Sequence, residues 1–371
     1  MIEKSILVTG GAGSVGTSAV GFLARMPGVD KIIVADINQE AAEREINSVV
    51  VSSSVHGFYP KIEFRKVDLT DKEGTAKLLG ETQPNVVLNT TTMLAQYVPI
   101  EKRLIAEKKY PVISRLAGHT IAKDLYLSMK LMEAVKASGT GSKVVNVSFP
   151  DHTNCVLGKI GLAPLIGAGT IDLTANGVRL AAARRLRIPV HNVQIAMIVH
   201  HSIRAIFAAE NIKKVPCYLR IRVGEEDVTN KFKKEEILWE GVQNGGLKAD
   251  ANMLAASSGA QNAWAVLNNT RELRHAPGVK GLPGGYPVRI GADDVEIVLP
   301  PDVSLRDAVK INEDGMKYDG IERFEDDGTV VFTKETSKLM EDLLGIKWEK
   351  MRVSEVEKMT QELISAYKRL A

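Results

Sequence analysis

The sequence predicts a doubly wound, parallel-sheet α/β domain followed by an α+β domain, and three features carry that prediction. A β-branched run, Ile6-Leu7-Val8, feeds the glycine-rich turn Gly10–Gly16, and an apolar-periodic helix with Val20, Phe22 and Leu23 follows. A second strand, Lys31–Ala35, ends in an acid, Asp36. Strand and helix signals then alternate to about residue 150, the rhythm of a parallel sheet with right-handed crossovers.

Within that rhythm Lys61–Val67 predicts a strand ending at Asp68, and Asn85–Asn89 a further one. Lys143–Ser148 follows a long helix around Leu125–Ala137. Beyond residue 150 the pattern changes. Gly169–Leu186 predicts a helix, Gln194–Val199 a strand running into His200-His201, Pro216–Val223 a half-buried strand and Asn252–Leu267 a helix. Pro287–Ile290 with Val295–Leu299 predicts a hairpin. Asp327-Gly328, between Ile321–Phe324 and Thr329–Phe332, predicts another, because this pair suits a two-residue turn. Ser354-x-x-Glu357 predicts a capping box before the last helix, with Met359, Leu363 and Tyr367 periodic behind it. The expected division is 1–165 and 166–371.

Composition narrows the function classes. The 371 residues are 44% apolar and 25% charged, and 48 Lys+Arg against 45 Asp+Glu leave +3. That balance argues against a dedicated nucleic-acid binder, which concentrates Lys and Arg. Cys155 and Cys217 are too few for a disulfide framework or a cysteine-rich zinc site. No apolar run approaches a membrane span, and the opening residues pass straight into a strand with no room for a secretory signal. A cytoplasmic enzyme of a small-molecule substrate is expected, with neither nucleic acid nor membrane as partner.

The glycine turn carries the first chemistry. Gly11-Ala12-Gly13-Ser14-Val15-Gly16 fits G-x-G-x-x-G, and Gly10, Gly13 and Gly16 fit a spaced variant, so both registers stand. Glycine lets the backbone approach a pyrophosphate, and the helix N-terminus offers it N–H groups. Asp36 lies 20 residues after Gly16, where a carboxylate accepts from the adenosine ribose hydroxyls and repels a 2′-phosphate; no Arg follows in Ile37-Asn38. These features together describe a Rossmann domain, with NAD as the expected cofactor. Its expected contacts are Gly10, Gly11, Ala12, Gly13, Ser14, Val15 and Gly16 in the turn, and Asp36 and Ile37 after the second strand. Asp68, Leu69, Asn89, Thr90, Thr91 and Asn146, at later strand ends, complete them.

From about residue 1 to 300 the order of blocks resembles the lactate/malate dehydrogenase superfamily. Val8–Gly16 and Val34–Asn38 look like that family's opening, and Ser114-Arg115-Leu116 like its mobile-loop motif. Val144–Asp151, Gly167-Ala168-Gly169-Thr170 with Arg179, and Val199-His200-His201-Ser202 resemble its later motifs. The resemblance implies His201 as the proton donor and acceptor, and Arg115 as the group polarising the carbonyl. Arg179 stands 22 residues before His201, a spacing that needs no gap against the family. The family's histidine-holding aspartate falls on Thr174 and its carboxylate-binding arginine on Gly177. These departures remove about 1–3 kcal/mol of imidazolium pairing and the principal anchor of a small 2-keto acid. Asp172 and Asp151 are the candidate replacement carboxylates, and residues 303–350 look like an addition.

The expected function is therefore an NAD-dependent oxidoreductase acting at a hydroxyl/carbonyl centre of a polar metabolite, with a substrate other than malate or lactate. Its candidate catalytic residues are His201, Arg115, Asp172 and Arg179. One alternative is a saccharopine-dehydrogenase-like or amino-acid reductase, which Val67-Asp68-Leu69-Thr70-Asp71 and Pro84–Asn89 suit. Another is a dinucleotide-binding protein without catalysis. Tyr126-x-x-x-Lys130 imitates the short-chain dehydrogenase pair but precedes the strand that chemistry requires it to follow. Cys155 sits outside the block where a family 4 glycosidase places its metal thiol, so no metal is expected. His119 and His152 receive no role. The small-residue face Ala255, Ala256, Gly259 and Ala263 points to a homodimer or homotetramer.

Overall fold

Strand β1 (Ser5–Thr9) is buried along its whole length, as the centre of a parallel sheet covered on both faces must be. The computed structural model describes residues 3–95, 117–206, 209–247 and 251–369. Around β1 lie β2 (Lys31–Asp36), β3 (Ile62–Lys66), β4 (Val86–Asn89), β5 (Lys143–Asn146) and β6 (Ile166–Gly167), all parallel in the order β3-β2-β1-β4-β5-β6. The connecting helices are α1 (Ser14–Leu23), α2 (Gln39–Val55), α3 (Lys72–Thr82), α4 (Ile121–Ser138) and α5 (Pro150–Lys159). Strand order reverses between β1 and β4, which opens a crevice at the strands' carboxyl ends. The expected division at 165/166 cuts this sheet, because Ile166 and Gly167 pair with Val145 and Asn146.

The chain then enters α6 (Thr170–Leu186) and an antiparallel sheet. Its strands are β7 (Val193–Val199), β8 (Cys217–Val223), β9 (Glu226–Asp227), β10 (Leu273–Pro277), β11 (Gly285–Ile290) and β12 (Val295–Ile297). They run β10-β11-β7-β8-β9, with β12 beside β11, so the hairpin expected at 287–299 is present. Between β9 and β10 lie α7 (Lys234–Val242) and α8 (Ala251–Asn268). Helices α6 and α7 touch backbone to backbone: a Cβ on Gly177 would lie 2.0 Å from the Gly241 carbonyl oxygen. The small-residue face of α8 closes inside the chain, since Ala256, Gly259 and Ala263 are buried and a Cβ on Gly259 would meet Val147 and Leu88. Three of the four residues read as a pairing face are therefore covered by α1 and the parallel sheet of this chain, while Ala255 is half-buried.

After α9 (Leu305–Met316) come β13 (Ile321–Phe324), β14 (Val330–Phe332), α10 (Lys334–Leu344), β15 (Lys350–Met351) and α11 (Val356–Arg369). The expected β13–β14 hairpin is present, but it closes through the tight turn Glu325–Gly328, with the Gly328 N–H on the Glu325 carbonyl at 3.0 Å and Gly328 at φ +85°, rather than through a two-residue Asp327-Gly328 turn. This segment packs onto the first domain. Phe332, Met340, Trp348 and Leu363 share one core with Leu7, Val87, Ile121 and Leu125, and the Thr360 hydroxyl bonds to the Ala122 carbonyl at 2.9 Å. Grouping all of 166–371 into one second domain thus misplaces its last fifty residues. The capping box also shifts. A 3₁₀ turn, Val353–Glu355, precedes α11, so the Glu355 carboxylate accepts from the Arg352 N–H (3.4 Å), while burial, helped by the Glu357 charge, raises the Tyr126 pKa. Among the described residues no helix is long and apolar enough to cross a membrane.

Candidate active site

The glycine turn does two jobs at the mouth of the crevice. Gly10 adopts φ +72°, the left-handed turn that lets its N–H reach the Ala35 carbonyl at 2.9 Å. Gly16 lets α1 approach the turn, since a Cβ there would lie 2.2 Å from the Gly10 oxygen. Gly13 caps α1 with no side-chain oxygen, which leaves the first-turn N–H groups to a ligand anion. The Asp36 carboxylate is pinned at both oxygens, by the Ala12 N–H and the Asn38 N–H, each at 3.0 Å. A cavity of about 460 Å³ lies over these groups, lined by Gly10, Gly13, Asp36, Ile37, Asp68 and Leu69 among others. A glycine cradle, an uncapped helix end and a strand-end acid in one cavity fit the adenosine and pyrophosphate of a dinucleotide.

Thr90 and Thr92 border both this cavity and a second one of about 440 Å³. His201, at the end of β7 on a 3₁₀ turn (His201–Arg204), lines the second cavity with its side chain 23% exposed, so its ring is reachable. Its Nδ1 lies 2.6 Å from Oδ2 of Asp319, a fully buried carboxylate on the turn Lys317–Asp319 after α9. Nδ1–H therefore donates to Asp319, and the Nε2 lone pair is left for the cavity. His152, on α5, brings Nε2 to the same oxygen at 3.1 Å. Phe149, held at φ +52°, sets its ring edge-on to His152 and His201, at 4.3 and 4.9 Å between centroids.

Burial and charge oppose each other in this cluster. Burial disfavours a charged His201, but the Asp319 charge and hydrogen bond, with a contribution from Asp151, outweigh it and raise its pKa. Burial works against the Asp319 anion too, yet His201, His152 and His200 together hold its carboxyl well below the usual carboxylate range. His200 is pushed well below the ordinary imidazole value by burial and by His152. Burial raises Asp151, whose two oxygens have no hydrogen-bond partner. His152, His200 and Asp319 bring ligating atoms within 4.8 Å of one another, a spacing a metal could use. The chemistry is poor for one. His200 Nδ1, 3.6 Å from Asp319, already accepts the Ser202 N–H at 3.2 Å, and the outer ring nitrogens lack the partners that orient ligands.

Several expected residues stand elsewhere. Asp172 does not reach His201; it binds Ser258 (2.9 Å), Arg274 (2.8 Å) and Asn176 (3.0 Å), tying α6 to α8 and β10. Arg179 is outside the cavity lining and donates to Asn176 at 2.9 Å. Asn89 and Asn146 are 1% exposed and committed to each other at 2.9 Å, with Asn146 also bonded to Thr153 and Asn154, so their amides face the interior. Thr174 is buried and bonds back to Thr170. Arg115 lies outside the described residues. Tyr126 meets Glu357, with Lys130 5.7 Å over its ring, and Cys155 bonds to the Asp151 carbonyl at 3.2 Å; neither lines the second cavity. Sequence reasoning missed Asp319, which sits in the presumed addition and carries no motif. It left His152 without a role, although the adjacent pairs Asp151-His152 and His200-His201 were visible.

Strand order, glycine turn and strand-end acid define a Rossmann dinucleotide-binding domain, here joined to an antiparallel α+β domain. Comparison agrees. Residues 6–107 match the family described as "Saccharopine dehydrogenase NADP binding domain". Among solved structures, a malate dehydrogenase from Picrophilus torridus is 19% identical with a TM-score of 0.59, covering 85% of this chain and 96% of that one. A lactate dehydrogenase from Cryptosporidium parvum, complexed with lactic acid and nicotinamide adenine dinucleotide, is 16% identical at TM-score 0.59, covering 86% and 99%. A malate dehydrogenase from the same organism is 14% identical at TM-score 0.58, covering 98% and 100%. The fold is that of the malate and lactate dehydrogenases.

Proposed function

We propose that the chain is an NAD-dependent oxidoreductase acting at a hydroxyl/carbonyl carbon of a polar small metabolite. The observation that carries this reading is the reachable His201 ring, backed by Asp319, in a cavity that adjoins the dinucleotide groove at Thr90 and Thr92. Bound nicotinamide supplies the hydride acceptor or donor. His201 Nε2 takes the hydroxyl proton during oxidation and returns it during reduction, and Asp319 stabilises the imidazolium so formed. The uncapped α1 N-terminus holds the pyrophosphate. Asp36, held at both oxygens by backbone N–H groups, would accept from the ribose hydroxyls and repel a 2′-phosphate, which supports NAD. Arg115 is proposed to polarise the carbonyl, and a homodimer or homotetramer is proposed, checked by sedimentation mass.

The test combines NADH titration by fluorescence with turnover on a panel of polar hydroxyl compounds. Wild type binds NADH, and His201→Asn keeps that affinity while turnover falls about 10²- to 10⁴-fold. Absence of dinucleotide binding contradicts the reading. The match over residues 6–107 favours a second one, an amino-acid reductase. Turnover confined to an amine with a 2-oxo acid, and absent on every hydroxyl compound, selects it.

A further inference from the structure

Oδ2 of Asp319 takes two donors at once, His201 Nδ1 at 2.6 Å from the cavity side and His152 Nε2 at 3.1 Å from the buried side. We infer that His152 is a positioning residue that sets how strongly Asp319 holds the proton on His201. The inference rests on His201 as the acid–base group of the proposed reaction, and it adds a second histidine whose action runs through the shared carboxylate.

The geometry gives His152 both duties. It lies on α5 of the first domain, whereas Asp319 lies on the turn between α9 and β13, so their bond ties that turn to the Rossmann core. Its ring is fixed by Phe149 at 4.3 Å, His200 at 4.7 Å and Phe324 at 6.2 Å, and its side chain is fully buried. A donor at Nε2 requires the Nε2–H tautomer, and the partnerless Nδ1 agrees with an unprotonated nitrogen there. Each N–H on one carboxylate oxygen draws on the same negative charge, and in a dry site that competition is strong. Among the described residues, the other titratable groups on this side are Asp151 from α5, whose charged form burial disfavours, neutral His200 from the end of β7, Arg204 from the 3₁₀ turn, whose charge works against the imidazolium, and the Lys123–Asp124 ion pair of α4, which lines the same cavity.

The test is a titration of the ring nitrogens of His201 by ¹⁵N NMR on the full chain without substrate. His152→Leu removes the competing donor, leaves Asp319 more basic and raises the proton affinity of His201 about tenfold, one unit in midpoint. His152→Gln keeps an N–H donor and stays close to wild type. An identical midpoint in His152→Leu and wild type overturns the inference. Should His152→Leu not fold, the wild-type spectrum decides. His152 is expected as the Nε2–H tautomer with a hydrogen-bonded proton that disappears in Asp319→Asn, and an Nδ1–H tautomer overturns the inference. A chain that shows this coupling but turns over no substrate defeats the proposed function and leaves the coupling standing.

Discussion

The two cavities that meet at Thr90 and Thr92 are built in opposite ways. The groove over β1 and β2 takes its polar groups from short stretches of the first 95 residues, many of them backbone N–H groups. The second cavity takes its histidine from the end of β7, and the carboxylate behind that histidine comes from a turn 118 positions further along the chain. The difference is physical. A pyrophosphate is held by backbone at a tight turn, which few sequences can form, so the solution writes itself as a motif. A histidine needs one carboxylate at the right place, and any element that reaches the site can supply it.

Putting the relatives' arginine back tests this contrast most severely. Gly177→Arg drives a side chain into the Gly241 carbonyl and should cost more than about 4 kcal/mol, read as loss of the cooperative unfolding transition. A variant that unfolds like wild type would show that α6 and α7 do not have to touch. Next comes the relay carboxylate. Thr174→Asp buries a new charge where Thr174 is fully covered, costs about 3–5 kcal/mol by denaturant unfolding, and restores no turnover to Asp319→Asn. Recovered turnover would mean that position 174 still faces His201.

Smaller effects concern the local half. NAD should bind more than tenfold tighter than NADP, about 1.4 kcal/mol, and Asp36→Ser should narrow that gap in a fluorescence titration. Equal binding of both by wild type removes Asp36 as the discriminating group. The smallest effect is expected at the N-terminal cap of the last helix, where Glu355→Ala should lower stability by about 0.5–1 kcal/mol. No change in melting would mean that the bond to the Arg352 N–H contributes nothing.

The same contrast explains what could be read in advance. The glycine turn, Asp36 and the β13–β14 hairpin are local, and each stands where the sequence placed it, with only the hairpin's turn displaced to Glu325–Gly328. Asn89 and Asn146 also lie at the expected strand ends, but strand position does not say which way an amide points, and theirs point inward to each other. The small residues of α8 were visible as a face, yet sequence does not tell a face that meets another subunit from one that meets its own sheet. Asp319 was illegible for a stronger reason: its role exists only once α9 has carried the chain back beneath β7.

The pH dependence of turnover in wild type and Asp319→Asn tests the central pairing most directly. Oxidation needs neutral His201, so its rate rises with pH through the His201 pKa, and reduction falls over the same interval. Asp319 raises that pKa above the ordinary 6.5, so the wild-type midpoint should lie above 6.5. In Asp319→Asn the charge is gone while the burial that disfavours imidazolium remains. The midpoint should then drop below 6.5, and turnover should fall about 10²-fold or more. An unchanged midpoint and rate in Asp319→Asn would contradict the pairing of His201 with Asp319.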